Sequence, residues 1–248
     1  MARITTALAT AAVVSVSAVS CGGPDDDPVL VLAAASLTDA FATMETEFEA
    51  ANPDLDIEVS FGGSSALQVQ VEEGAPADVV AFADASPMAA LVDDDLVDDP
   101  TVFATNALVL VTPADNPGGV TSLDDLTNPD LLVGVCAPQV PCGRYAAELL
   151  DRAEVDASLD TQEPDVRSLA AKIAAGELDA GLVYATDVDA FPDELELIPL
   201  PDGIAVRAEY PIAAVSESSR PDDAERFLDF VLSAEGRQIL ADAGFGER

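Results

Sequence analysis

The feature that most constrains this chain is the regular alternation of short apolar strands with helix-patterned segments. "PVLVLAAAS" reads as a buried strand that stops at Ser36. "SLTDAFATMETEFEAANP" follows, with Phe41, Met44 and Phe48 on one helical face and Asn52-Pro53 to end it. Ser36 is expected as the N-cap of this helix, with Asp39 completing a capping box. The strand "DIEVSF", a helix opening near Ser64, the buried strand "APADVVAFAD" and a helix with Pro87 at its first position extend the order to β-α-β-α-β-α. A second series begins at "ALVLVTP". It continues through "SLDDL" (short helix), "LLVGVCAP" (strand), "CGRYAAELLDRA" and "DVRSLAAKIAAG" (helices), and the strands "DAGLVYATD", "LELIPLP" and "EYPIAAV". One or two amphipathic helices close the chain. Such alternation predicts an α/β protein whose sheets are mostly parallel and carry helices on both faces. No Ser/Gly linker separates the two series, so two lobes joined directly by strands are expected.

An open parallel sheet binds ligands at the carboxyl ends of its strands, where helix N-termini gather. That edge holds Ser36, the turn from Gly62 to Ser65, Pro141 to Gly143, and Tyr184. The stretch "VSFGGSSALQVQV" has the layout of an anion cradle: a strand, a turn rich in backbone N–H groups and Ser hydroxyls, and a helix start. The donors gathered there are neutral. This arrangement meets a chain of formal net charge −37, with 47 acidic residues against 10 basic ones and no Lys or Arg from residue 4 to residue 143. So acidic a chain repels nucleic acid and anionic membrane surfaces, which excludes both as partners. The acidic runs read as solvated surface, because they lack the Gly at the sharp turn and the terminal Glu of a calcium loop.

Catalytic signals are weak. The chain has no His, which removes the Ser-His-Asp arrangement and the usual zinc sets. Lys172 is its one lysine, so a phosphate-binding loop ending in Gly-Lys is missing, and a Ser–Lys dyad would have to use a residue that reads as exposed. A hydrolase using a cleft Ser stays a remote alternative. A surface protein that binds a macromolecule through its acidic face is another.

Residues 1 to 20 read as a targeting segment, with Arg3 in a short positive region before small apolar residues. The ending "SAVSCGGPDDD" looks like a bacterial lipoprotein signal, in which Cys21 carries the lipid and residues 21 to 28 form a tether. Ala18 stands where Leu is usual, and an ordinary secretory peptide is the alternative. Cys136 and Cys142 remain. Their spacing is not the redox CxxC motif, and in an exported protein the default is a structural disulfide. A loop that short is worth about 2 kcal/mol by chain entropy.

Taken together, "VLAAASLTDAF", "FGGSSALQVQVEEGAPADVVAFAD", "VPCGRYAAELL", "PDVRSLAAKIAAGELDAGLVYATD" and "EYPIAAV" resemble, block after block, the molybdate-binding proteins of bacterial ABC transporters. The resemblance implies a two-lobed periplasmic binding protein fold of type II, with the ligand cleft between lobes. Two strands would cross, near Thr105 to Leu108 and near Tyr210 to Ala213. Residues 29–106 and 212–248 would form one lobe and residues 107–211 the other. It further implies a tetrahedral oxyanion, molybdate or tungstate, held by hydrogen bonds alone. Ser36 and Ser64 would each contribute side chain and amide, Cys142 and Val166 their amides, and Tyr184 its hydroxyl. Relatives commonly have Ala at the position of Cys142, but a backbone contact tolerates the change. Arg144 and Arg167 are expected to make the cleft less negative. No catalytic residue and no cofactor are implied, and molybdenum enters only within its oxyanion. The expected protein is an extracytoplasmic monomer, anchored through Cys21, that serves a membrane permease. Sulfate or phosphate on the same fold is the alternative ligand.

Overall fold

The computed structural model describes residues 27–247, so the targeting segment, most of the tether and Cys21 lie outside the described residues. Nine strands and eight α-helices follow in the order β1 (Val29–Ala34), α1 (Thr38–Ala51), β2 (Ile57–Gly62), α2 (Ser64–Glu72), β3 (Val79–Ala81), α3 (Ala85–Asp93), β4 (Val97–Pro113), β5 (Val133–Cys136), α4 (Pro141–Ala153), β6 (Thr161–Glu163), α5 (Val166–Ala174), β7 (Ala180–Tyr184), α6 (Ala185–Asp189), β8 (Leu195–Ile198), β9 (Arg207–Val215), α7 (Pro221–Leu232) and α8 (Ala234–Asp242). Short 3-10 turns at Ala35–Leu37 and Leu123–Thr127 complete the list.

The strands lie in the order β2-β1-β3-β9-β4-β7-β5-β6, with β8 also on β4. In the first half β1 runs parallel to β2 and β3; in the second, β5 runs parallel to β6 and β7. β4 and β9 join these parallel cores antiparallel. β4 serves both halves: it pairs with β9 as far as Ala107 and with β7 from Leu108. Alternation of side chains along each strand sorts the first half's core into two layers. Val31, Ala33, Val79 and Ala81 face Phe41, Met44 and Phe48 of α1 and Phe227 of α7. Leu32, Val80 and Phe82 face Leu67 of α2 and Met88 and Leu91 of α3. Phe48 and Phe227 meet edge to face with ring centroids 5.3 Å apart, a geometry worth about 0.5–1.5 kcal/mol beyond burial.

Three local expectations are corrected. Ser36 is not an N-cap: it lies in the 3-10 turn, α1 opens at Thr38, and the Ser36 hydroxyl has a buried partner 2.8 Å away, the hydroxyl of Tyr210. Pro87 is the third residue of α3, whose N-cap Asp84 accepts from the Ser86 N–H at 2.8 Å. A proline is harmless there because first-turn amides have no acceptor within the helix. β4 starts ten residues before the expected "ALVLVTP". Its first half hid behind the acidic, proline-containing "VDDPTVFATN", which the sheet accommodates by register shifts between Asp98 and Thr101 and between Val102 and Ala104. β6 and α6, both short, carried no sequence signal strong enough to be expected.

Candidate functional site

Ser36, Ser64, Cys142, Val166 and Tyr184 all line one small cavity between the halves, together with Gly62, Gly63, Val140 and Asp165. The five expected residues are buried; Ser64 and Tyr184 are only 1% exposed. The cavity volume is only ≈ 10 Å³, far below the roughly 300–1,000 Å³ usual for pockets that take organic ligands. That is room for about one water, so only a small ligand can be held with the halves this close.

Strand ends and helix starts build the lining. β1 ends beside the turn that holds Ser36, and β2 ends at Gly62, immediately before α2. Ser64 is the first residue of α2, Cys142 the second of α4 and Val166 the first of α5. At these positions backbone amides have no carbonyl one turn back to bond to, and the positive ends of three helix dipoles meet at one point. Pro141 opens α4 without wasting a donor, since the position needs none. Asp165 caps α5 by accepting from the Ser168 amide and hydroxyl, so both its oxygens are engaged along the helix. Cys136 and Cys142 are joined by a disulfide with Cα atoms 5.6 Å apart, which ties the end of β5 to the first turn of α4. Gly143 is required behind that tie, because a Cβ there would lie 2.0 Å from the Ala137 carbonyl oxygen.

Three hydroxyls complete the lining. The Ser64 hydroxyl accepts from the Ala83 amide at 3.0 Å. The Ser36 hydroxyl meets that of Tyr210. The Tyr184 hydroxyl, at the end of β7, is buried and has no hydrogen-bond partner in the protein. Burial pushes it well above the ordinary tyrosine range, so it is a neutral donor. An orphaned hydroxyl in a cavity is costly, at about 1–3 kcal/mol, unless a ligand or water meets it. Asp187, fully buried just behind Tyr184, accepts the Tyr184 amide at 3.2 Å. Burial raises its carboxyl to about 7, opposed by Arg167, whose Nε lies 3.6 Å from Oδ1.

The two halves touch at the rim. Arg144 Nη2 on α4 pairs with Asp84 at 2.5 Å, and Arg167 Nη2 on α5 pairs with Asp39 of α1 at 2.8 Å. Ser65 donates to the Gln139 carbonyl at 2.5 Å. The sequence suggested these arginines as a means of making the cleft less negative; in the structure their charge is matched by carboxylates of the opposite half, and they fasten the halves together. Gly63 makes the close approach possible, since a Cβ on it would lie 2.6 Å from the Pro164 carbonyl oxygen.

What sequence reasoning missed is the layer behind the lining: Asn106, Thr186, Asp187 and Tyr210, all buried. A signal was present for Asn106, a polar side chain inside the apolar run "FATNALVLV". Among the described residues, no group of three or more His, Cys, Asp or Glu side chains could hold a metal ion, and no helix is long and apolar enough to cross a membrane.

Comparison with known proteins finds similar chains. The profile of the bacterial extracellular solute-binding protein family matches residues 29–246. The molybdate-binding protein ModA of Mycobacterium tuberculosis is 37% identical over 220 residues, which are 88% of this chain and 84% of that protein. A solved structure described as the substrate-binding domain of a molybdenum ABC transporter of Clostridium difficile is 29% identical, with a TM-score of 0.67 over 89% of this chain and 99% of that one. The periplasmic molybdate-binding protein of Azotobacter vinelandii superposes with a TM-score of 0.77 over 89% of this chain and 99% of that one; at 16% identity it speaks for the fold alone.

Proposed function

The chain belongs to the bacterial extracellular solute-binding proteins, and from that premise we propose that it is the substrate-binding component of an ABC transporter. It captures molybdate, and tungstate as its near analogue, outside the cytoplasm and delivers the oxyanion to a membrane permease. The observation that carries this reading is the lining itself: a small cavity that gathers first-turn amides of three helices, two serine hydroxyls and one unpartnered buried tyrosine hydroxyl, all neutral donors. Such a set supplies donors to an anion without a counter-ion.

The energetics are sufficient. Hydrogen bonds to a charged group contribute about 1.5–3 kcal/mol each, and helix N-termini add up to about 2 kcal/mol in partly buried geometry. Seven donors, two from Ser36, two from Ser64 and one each from Cys142, Val166 and Tyr184, can offset the cost of taking a dianion from water. Neutral donors also suit delivery, because no salt bridge to the ligand has to break at release.

In this reading residues 29–106 and 212–248 form one lobe and residues 107–211 the other, hinged on β4 and β9. Closure over the ligand forms the rim contacts of Arg144, Arg167 and Ser65, and is the state the permease reads. Cys21 carries the lipid, on the sequence pattern alone. The family binds solutes, and with no His in the chain neither cleft serine has a histidine base to act with.

Calorimetric titration of the purified protein with molybdate, tungstate, sulfate and phosphate in turn is the test. One-to-one binding of molybdate and tungstate, with sulfate at least a hundredfold weaker, is expected. Preference for sulfate or phosphate would keep the fold and overturn the ligand.

A further inference from the structure

Two buried atoms of opposite charge face each other without a hydrogen bond. Arg167 Nε and Asp187 Oδ1 stand 3.6 Å apart, just beyond bonding reach, and neither has a hydrogen-bond partner in the protein. Buried polar groups are normally satisfied, and leaving a charged one unmatched is costly. What draws the guanidinium off is its other end. Arg167 Nη2 donates to Asp39 Oδ2 at 2.8 Å, on α1 across the cleft. Arg167 is thus stretched between two carboxylates, one on each half.

The two carboxylates sit in different surroundings. The Asp39 side chain is 63% exposed, so water replaces Arg167 there at little cost. Asp187 is fully buried, and its second oxygen accepts the Tyr184 amide at 3.2 Å. The guanidinium carbon lies 6.0 Å over the ring of Phe191, just beyond α6, a contact that keeps Arg167 with its own half when Asp39 withdraws. A shift of about half an ångström then brings Nε within bonding distance of Asp187 Oδ1. The pair lies directly behind the site: Val166 precedes Arg167, and Asp187 holds Tyr184 through its amide.

We propose that Arg167 is a two-position switch of the cleft, bonded to Asp39 when the halves are closed and to Asp187 when they are open, with Asp187 a positioning residue that favours opening. The proposal rests on the hinge-closure reading of the oxyanion site and adds to it a built-in pull toward release. Opening exchanges one ion pair for another, so the arginine is not left without a partner in either state. A protein that must hand its ligand on gains from a closed state that is not held too firmly.

Dissociation constants and dissociation rates for molybdate are measured in the parent protein, Asp187→Asn, Asp39→Asn, Arg167→Gln, and Arg167→Gln combined with each of the other two. The measurements are made at about pH 8, where Asp187, raised to about 7, is chiefly ionised. Asp187→Asn keeps an acceptor for the Tyr184 amide and removes the open-state partner. Binding is expected to tighten about three- to tenfold, with slower dissociation, an effect between those of an exposed and a buried charged pair. Asp39→Asn removes the closed-state partner, and binding is expected to weaken about two- to fivefold, with faster dissociation. Both effects should vanish in the Arg167→Gln background. Relief of charge repulsion on the anion would instead tighten binding in both variants and persist without Arg167, and a merely structural Asp187 would give weaker or unchanged binding in Asp187→Asn. Any of these results overturns the proposal while leaving the oxyanion reading in place.

Should Asp187→Asn fail to fold, as its thermal unfolding would show, lowering the parent protein from about pH 8 to about pH 6 decides, because it neutralises Asp187 without substitution. The groups whose charge reaches Asp187 are Arg167 and Asp165 at the start of α5, Asp39 of α1, and the hydroxyls of Tyr184 and Tyr210, which burial keeps protonated. The chain has no His to titrate in that range. Molybdate binding is expected to tighten by the same factor as in Asp187→Asn, and unchanged or weaker binding overturns the proposal. Absence of molybdate binding to the parent protein would overturn the oxyanion reading and the proposal with it.

Discussion

Gly63→Ala isolates the closure of the two halves from everything else about the site. Gly63 has φ −67° and ψ 129°, ordinary extended values that alanine adopts without strain. Within its own half the added methyl meets nothing close. Its nearest neighbours are the Pro164 carbonyl oxygen at 2.6 Å and Val140 Cγ1 at 3.3 Å, both across the cavity. An ordinary contact needs about 3.4 Å or more, so the halves must stand apart by several tenths of an ångström, against backbone on the far side. Overpacking of this kind costs about 1–3 kcal/mol. That cost falls on the closed state alone, so molybdate affinity should drop by about five- to 150-fold. The unliganded protein, free to stay open, should keep its stability or gain about 0.4–1 kcal/mol from the lower entropy of the unfolded chain. Calorimetry gives the first quantity and ligand-free thermal or urea unfolding the second. An unchanged affinity would refute the reasoning, because it would mean that the bound state does not bring Gly63 against Pro164. A parallel fall in ligand-free stability would refute it differently, by showing that the halves are packed together whether or not ligand is present.

Other expectations follow from single groups. Tyr184→Phe removes the orphaned hydroxyl and should weaken molybdate binding by about ten- to 150-fold, one hydrogen bond to a charged group, while ligand-free unfolding stays within about 0.5 kcal/mol. Asp187, ordinarily near 3.8, titrates at about 7 in the folded protein, so the native state holds a proton the unfolded chain has already lost. Its contribution is complete below about pH 4 and is lost as pH rises through 7, and Asp187→Asn should remove up to about 4 kcal/mol of that decline in unfolding free energy measured across the range. Replacing Cys136 and Cys142 together by Ala should lower stability by about 2 kcal/mol in urea unfolding yet leave molybdate affinity within a few fold, since the contact assigned to Cys142 is its amide.

The order of most strands and helices was legible because they announce themselves locally. The small apolar run of β1, the period of Phe41, Met44 and Phe48, and the Gly-Gly-Ser-Ser turn all follow from the spacing of a few neighbouring residues. Ser36, Ser64, Cys142 and Tyr184 could be placed at the ligand edge because they stand at strand ends or helix starts, where an α/β sheet exposes its donors; Val166, and the ligand role of all five, followed only from the resemblance to the molybdate-binding proteins. Local patterns could not show what depends on partners distant in sequence. Ser36 reads as a cap by its neighbours, but its hydroxyl is claimed by Tyr210, 174 residues away. β4 looks broken by acidic residues and Pro100, and only pairing with β9 makes one strand of it. Arg144 and Arg167 could be placed near the cleft, but which carboxylates they would find was decided when the halves met. The sequence by itself determined the elements, their α/β class and the neutral chemistry of the donors, because these reside in residue type and short spacing. Tertiary structure alone decided the size of the cavity, the contact of Gly63 with Pro164 and the pairing of Ser36 with Tyr210, because each is a relation between segments that only folding brings within reach.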